Sequence, residues 1–133
     1  MNDQERESLR MLAKSWNNLD VRFIEEQLAD DVIYESQWVL KPIEGRQKFL
    51  TYLNSKFNAI KLAMESEPMV VKAEIAFHPL NQNRPCIVLT QMAKSEIRKT
   101  TVLIEMLRDK IKRIDMCFIP DPEEAELTGE LPT

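Results

Sequence analysis

Leu9, Leu12, Ala13 and Trp16 recur at helical spacing behind Asn2 and Asp3, either of which can cap a first turn, so residues 3–17 are expected to form an amphipathic helix. Asn17, Asn18 and Leu19 make a turn, and Asp20 then caps a short second helix that carries Phe23, Ile24 and Leu28 on one face and closes at Asp30 and Asp31. From Val32 to Trp38 the pattern alternates, which predicts a strand with Tyr34, Ser36 and Trp38 on the same face. Pro42 and Gly45 punctuate a loop. Phe49, Leu53, Phe57 and Ile60 then repeat every three or four positions and predict a third helix over residues 45–61.

From Pro68 onward the period changes to two. Met69, Val71, Ala73, Ile75 and Phe77 alternate with Val70, Lys72, Glu74, Ala76 and His78, as a strand with one wet face requires. Three more strands are expected at Cys86–Lys94, Lys99–Arg108 and Ile111–Ile119, the last two joined by a tight hairpin at Asp109-Lys110. Helix, helix, strand, helix and a run of four strands is the order of an α+β protein whose helices segregate to one side of a mainly antiparallel sheet.

Composition narrows the picture. At 133 residues, 44% hydrophobic and 30% charged, the chain fits one globular domain that needs no disulfide or metal to hold its core. Its longest apolar runs, Cys86–Leu89 and Met116–Ile119, fall far short of the ~20 residues of a membrane span, and the polar N-terminus does not read as a secretory signal, so a cytoplasmic protein is expected. The stretch Pro120–Thr133 holds five acids and no base, which leaves about +1 of the total −4 on residues 1–119. We therefore divide the chain into a domain over 1–119 and an acidic, proline-containing tail over 120–133, loose or forming a marginal last helix.

Lys110, Lys112 and Arg113, the densest basic cluster, read as a solvated edge, so nucleic acid is not an expected partner. Two cysteines and one histidine are too few, and wrongly spaced, for a zinc module; Cys86 and Cys117 read as buried thiols. With only Gly45 and Gly129, neither a phosphate loop nor a dinucleotide fingerprint can be written, and no cofactor is expected.

The segments Trp16–Asp20, Leu28–Tyr34, Pro42–Arg46 and Lys110–Ile114, in this order of elements, resemble the nuclear transport factor 2-like superfamily over about residues 5–119. The superfamily includes ketosteroid isomerases, polyketide cyclases, scytalone dehydratase, limonene epoxide hydrolase and binding domains without activity. The resemblance implies a cone, in which a curved sheet wraps the third helix and leaves a pocket beneath the first two. It also implies that Ser36 stands where a ketosteroid isomerase carries its aspartate base, Leu12 where it carries a tyrosine and Leu103 where it carries a second acid. None of those groups is present, so that chemistry is not expected.

Trp16, Tyr34, Trp38 and Phe57 are candidate walls of such a pocket, and Ser36 a candidate hydrogen-bonding group within it; each reads equally as ordinary core. Glu105 alternates with Ile104 and Met106 and shares a face with Thr101, Leu103 and Leu107. If that face is concave, desolvation makes Glu105 a usable acid or base; if it is outer, Glu105 forms a salt bridge, and Asp115 poses the same question. His78 falls on the polar face and reads as a surface or dimer-contact residue.

Three functions compete. The first is a domain that binds a small apolar or amphipathic molecule between Trp16, Tyr34, Ser36, Trp38, Phe57 and Glu105. The second is a lyase, isomerase or hydrolase that uses Glu105 or Asp115 with Tyr34. The third is a homodimeric interaction module joined through the open sheet face around Val70 and Ala76, a mode that the resemblance implies.

Overall fold

The computed structural model describes residues 3–37, 39–94 and 96–133. Helix α1 (Asp3–Asn18) buries Leu9, Leu12, Ala13 and Trp16, the stripe written in its sequence, together with Ser8 and Ser15. Asp20 caps as expected, accepting the Arg22 N–H at 3.0 Å. Two three-residue 3-10 turns, Val21–Phe23 and Glu25–Gln27, then stand in place of one α-helix. Strand β1 (Leu28–Ser36) already begins at Leu28, so only the short segment 21–27 separates the Asp20 cap from the strand, a length at which 3-10 turns are common. Asp30 and Asp31 do not end a helix; they are exposed where β1 shifts register between Leu28 and Ile33, an irregularity of the bulge type.

After β2 (Ile43–Glu44), Gly45 takes a φ of 102°, which a side chain would strain, and opens α2 (Arg46–Met64). The meander consists of β3 (Met69–His78), β4 (Arg84–Ala93), β5 (Glu96–Leu107) and β6 (Lys110–Cys117). Leu107 pairs with Lys110, so the β5–β6 turn is Arg108-Asp109, one residue before the expected position, with Arg108 at a φ of 59°.

Together with β7 (Glu126–Leu127), the described strands form one sheet in the order β2-β1-β6-β5-β4-β3-β7, antiparallel except for the β1–β6 pair. The sheet is curved and unclosed, with α1 against β3 and α2 against β1, an α+β cone. Alternation sorts its side chains. Val32, Tyr34, Ala73, Ile75, Ile87, Leu89, Val102, Ile104, Ile114 and Met116 join the helices in the main core on the concave side. Ala76, Cys86, Val88 and Leu103 form a smaller cluster on the outer side.

Residues 120–133 are not a loose tail. Thr101 donates to the Pro120 carbonyl at 2.7 Å, Pro122 is buried and Ala125 packs on the outer cluster. β7 then pairs with Ala76 and Phe77 at the edge of β3. Further on, the Thr128 N–H donates to the Ile75 carbonyl and the Ile75 N–H to the Glu130 carbonyl, both at 3.0 Å. Glu130 meets Arg10 at 2.5 Å, and Asn17 donates to the Pro132 carbonyl. The segment is a strap running from the outer face around the sheet edge to α1. Asn17 completes it by accepting the Ala73 N–H at 2.7 Å and donating to the Ala73 carbonyl at 2.9 Å. Ala73, Ile75 and Phe77, whose backbone faces outward from β3, are thereby all engaged, which protects an edge that would otherwise template association.

Candidate functional site

The depth of the cone is filled. Trp16 and Phe57 meet edge to face at 4.9 Å and 78°, and Tyr34 lies between Phe49 and Tyr52 at centroid distances of 5.0 and 5.3 Å. Trp16 and Tyr34 are each 2% exposed and Phe57 0%. These rings therefore act as floor rather than as the walls of an open chamber, with stacking of this kind worth ~0.5–1.5 kcal/mol beyond the area it buries. Trp38, the fourth expected wall residue, lies outside the described residues.

Polar groups gather instead at one end of the concave face. The Tyr34 hydroxyl contacts the Met116 sulfur at 2.9 Å and lies within reach of the Tyr52 and Ser36 hydroxyls. Burial, with Tyr52 adding to it, drives the Tyr34 phenol far above its ordinary value, so it stays protonated and serves as a hydrogen-bonding group, not as a base. Ser36 pairs with Met116 and sits at this rim.

Beyond β6, the β4–β5 hairpin continues as an arm. Arg98 and Thr100 follow Val102 on the concave side, opposite Gln91 and Leu89. Thr100 is 1% exposed, and its Oγ1 has no hydrogen-bond partner among the described residues. A recess of about 140 Å3 lies on this arm, lined by Met69, Gln91, Ala93, Glu96 and Arg98. On α2, Tyr52 packs against Tyr34 at a centroid distance of 5.3 Å, and Lys56 is partly buried. Lys56 is held below its ordinary value by burial and by the neighbouring Arg98 charge.

The two carboxylates weighed for catalysis lie elsewhere. Glu105 shares the outer face with Leu103, is exposed and pairs with Lys112 at 3.7 Å. Asp115, opposite Leu103, also faces outward, where Arg113 binds it at 3.0 Å and bridges to Glu35. Those two carboxylates push the Arg113 guanidinium above its ordinary value, Asp115 the more strongly. Alternation had paired Glu105 correctly with Leu103 and left open which face was concave; the burial of Val102 and Ile104 in the main core decides it. Leu103 likewise turns outward, so the concave positions nearest the expected second acid are the apolar Val102 and Ile104, while Leu12 is core at 1% exposure.

His78 is not a surface residue. It is 2% exposed on the outer face next to Ala76, where β7 joins the sheet, and its Nε2 has no hydrogen-bond partner among the described residues. Burial pushes the Cys86 thiol up to about 12 and raises Cys117 as well, so neither is a nucleophile at neutral pH. No helix among the described residues is long and apolar enough to cross a membrane.

Lys56 and Thr100 were missed from the sequence, although Lys56 carried a readable signal. It stands seven residues after Phe49, four after Tyr52, three after Leu53 and four before Ile60, so a cation lies within the apolar stripe of α2.

No family model matches the chain. Among solved structures it is similar to an uncharacterized cystatin-fold protein from Novosphingobium aromaticivorans, at 14% identity and a TM-score of 0.60, covering 87% of this chain and 97% of that one. It is also similar to an epoxide hydrolase/cyclase-like enzyme of pyran ring formation in the polyether salinomycin, at 13% identity and a TM-score of 0.60, covering 96% and 99%. A third is a nuclear transport factor 2-like protein of unknown function from Cytophaga hutchinsonii, at 9% identity and a TM-score of 0.58, covering 90% and 95%. At these identities the likeness is one of fold, and the fold is nuclear transport factor 2-like.

Proposed function

We propose that this nuclear transport factor 2-like fold binds a small amphipathic molecule at the rim of its cone, above a sealed aromatic floor. The reading rests on one observation: the hydroxyls of Tyr34, Ser36 and Tyr52 meet at one end of the concave side, with apolar side chains of the main core around them. An apolar surface ringed by a few convergent polar groups is the usual composition of a ligand site. The recess of about 140 Å3 is below the ~300–1,000 Å3 of drug-sized pockets, which suits a small ligand or a head group. The enzymatic alternative loses support, because Glu105 and Asp115 are engaged in ion pairs on the outer face.

An NMR titration with 1-octanol tests the reading. Saturable shifts are expected for the backbone amides of Tyr34, Ser36, Tyr52, Arg98 and Thr100, with none at Glu105, Arg113 or Asp115. Shifts confined to the outer face, or none at all, would refute it.

A second reading, association of two copies through the outer face, draws on a different observation. Val70 pairs with Met92 and Met92 with Ile97, a row crossing three strands, and Val70 and Ile97 are 48% and 65% exposed. Ala76, expected in the same contact, is taken up by β7 instead. Light scattering on the purified chain tests this: a dimer that becomes a monomer in Val70→Lys supports it, and a monomer at millimolar concentration removes it.

A further inference from the structure

A second opening lies near the other edge of the sheet, separated from Tyr34 on β1 by the three strands β6, β5 and β4. Alternation carries the concave row of β3 past Ala73 and Ile75 to Phe77, which pairs with Pro85 at the start of β4. Ile75 belongs to the main core, whereas Phe77 is half-buried and joins neither hydrophobic cluster of the described residues. These apolar side chains, with Arg6 of α1 and Thr128 of the strap, line a cavity of about 410 Å3. A smaller cavity of about 190 Å3 shares Arg6, Ile75 and Thr128 with it and adds Arg10 and Glu130, so the two make one groove between α1 and the strap. Its fixed parts are Thr128, whose hydroxyl donates to the Ile75 carbonyl at 2.9 Å, and the Arg10–Glu130 ion pair at 2.5 Å. Arg6 is different. It borders both cavities, and its guanidinium makes no ion pair or hydrogen bond with any described residue. Two arginines and one glutamate leave the groove one positive charge in surplus, in a chain whose net charge is −4.

We infer that this groove is a second ligand site, independent of the rim, and that it takes a small carboxylate with an apolar body. Arg6 holds the head group, and Ile75, Phe77 and Pro85 lie beneath the body. A volume of about 410 Å3 falls within the ~300–1,000 Å3 of small-molecule sites. Glu130 is already engaged by Arg10 and leaves the Arg6 charge uncompensated. A guanidinium offers a carboxylate two parallel N–H donors, and the open Phe77 ring offers an aromatic body a stacking partner. A neutral ligand of the same shape gains the apolar contacts alone; a cationic one meets a like charge at Arg6.

The test is an NMR titration of the full chain at pH 7 with 4-phenylbutyrate, 4-phenyl-1-butanol and 4-phenylbutylammonium, for the wild type, Arg6→Gln and Arg6→Lys. Phenylbutyrate is expected to give saturable shifts at the backbone amides of Ile75, Ala76, Phe77, Asn83 and Thr128. It should bind about fivefold or more tighter than the alcohol, with the ammonium weakest. Arg6→Gln should bring phenylbutyrate to within about twofold of the alcohol and leave the alcohol unchanged, whereas Arg6→Lys should keep the preference for the anion. Arg6 is exposed and glutamine matches arginine in helix propensity, so the fold is not at stake in either variant. Phenylbutyrate that binds no tighter than the alcohol, or that is unaffected by Arg6→Gln, would overturn the inference. Shifts at Tyr34, Ser36 and Tyr52 alone would move the anion to the rim and overturn the groove site while leaving the rim reading in place. No shift at the groove with any probe would overturn the site outright.

Discussion

Thr100→Val replaces a hydroxyl by a methyl group of similar shape at a position 1% exposed, where Oγ1 has no partner among the described residues. In most strand positions this change is neutral or harmful, because a threonine hydroxyl usually finds an acceptor. Here the folded protein carries a desolvated hydroxyl without compensation, which costs about 1–3 kcal/mol. Valine keeps the β-branching that suits β5 and adds a methyl facing Leu89 and the main core. The expected result is a gain of about 1–2 kcal/mol, or roughly 3–8 °C in Tm for a domain of this size. Calorimetry and urea denaturation should agree on it. If Thr100→Val melts lower than the wild type, the hydroxyl has a structural partner and the reasoning fails.

The same geometry has other consequences. Asn17→Ala removes the side chain that satisfies both backbone groups of Ala73 and holds Pro132, and should cost about 2–3 kcal/mol in urea denaturation while Ala73 loses amide-exchange protection; a change within about 0.5 kcal/mol would contradict the edge-sealing role. The side-chain and backbone hydrogen bonds to Arg22 lower Asp20 to about 2, so its cap contributes stability above the ordinary carboxylate range that is lost as pH falls through about 2. Asp20→Ala should therefore cost about 0.5–2 kcal/mol at pH 7 and make little difference at pH 1.5; equal effects at both would refute the cap. Glu105→Gln should leave 1-octanol affinity unchanged and stability within about 0.5 kcal/mol, since it removes only an exposed pair with Lys112; a large loss of binding would return Glu105 to the site.

The sequence was most legible where a side-chain period extends over several turns or pleats. The α1 stripe ending at Trp16, the Phe49-to-Ile60 stripe of α2 and the alternation of β3 all became the expected elements. It was less legible where backbone geometry, rather than side-chain pattern, sets the structure. The 3-10 turns after Asp20 and the irregular start of β1 leave no periodic trace. The strap was missed because its hold lies in main-chain hydrogen bonds at Ile75 and in one asparagine 56 residues from its partner Ala73. Period-two reasoning grouped Glu105 with Leu103 but does not say which face of a sheet curves inward. His78 shows the same limit, because the polar alternation of β3 cannot register that the strand's outer face is covered near Ala76. The rim went unread for another reason: Tyr34 and Tyr52 are 18 positions apart on different elements, and only the packing of α2 on β1 brings their rings to 5.3 Å.

The most direct measurement is a crystal structure of the chain with bound 1-octanol. Its hydroxyl should lie within about 3 Å of the Ser36 or Tyr52 hydroxyl, with Trp16 and Phe57 still in edge-to-face contact beneath it. 1-Octanol lodged between Trp16 and Phe57, or bound on the outer face beside Glu105 and Arg113, would contradict a sealed floor with a ligand-binding rim.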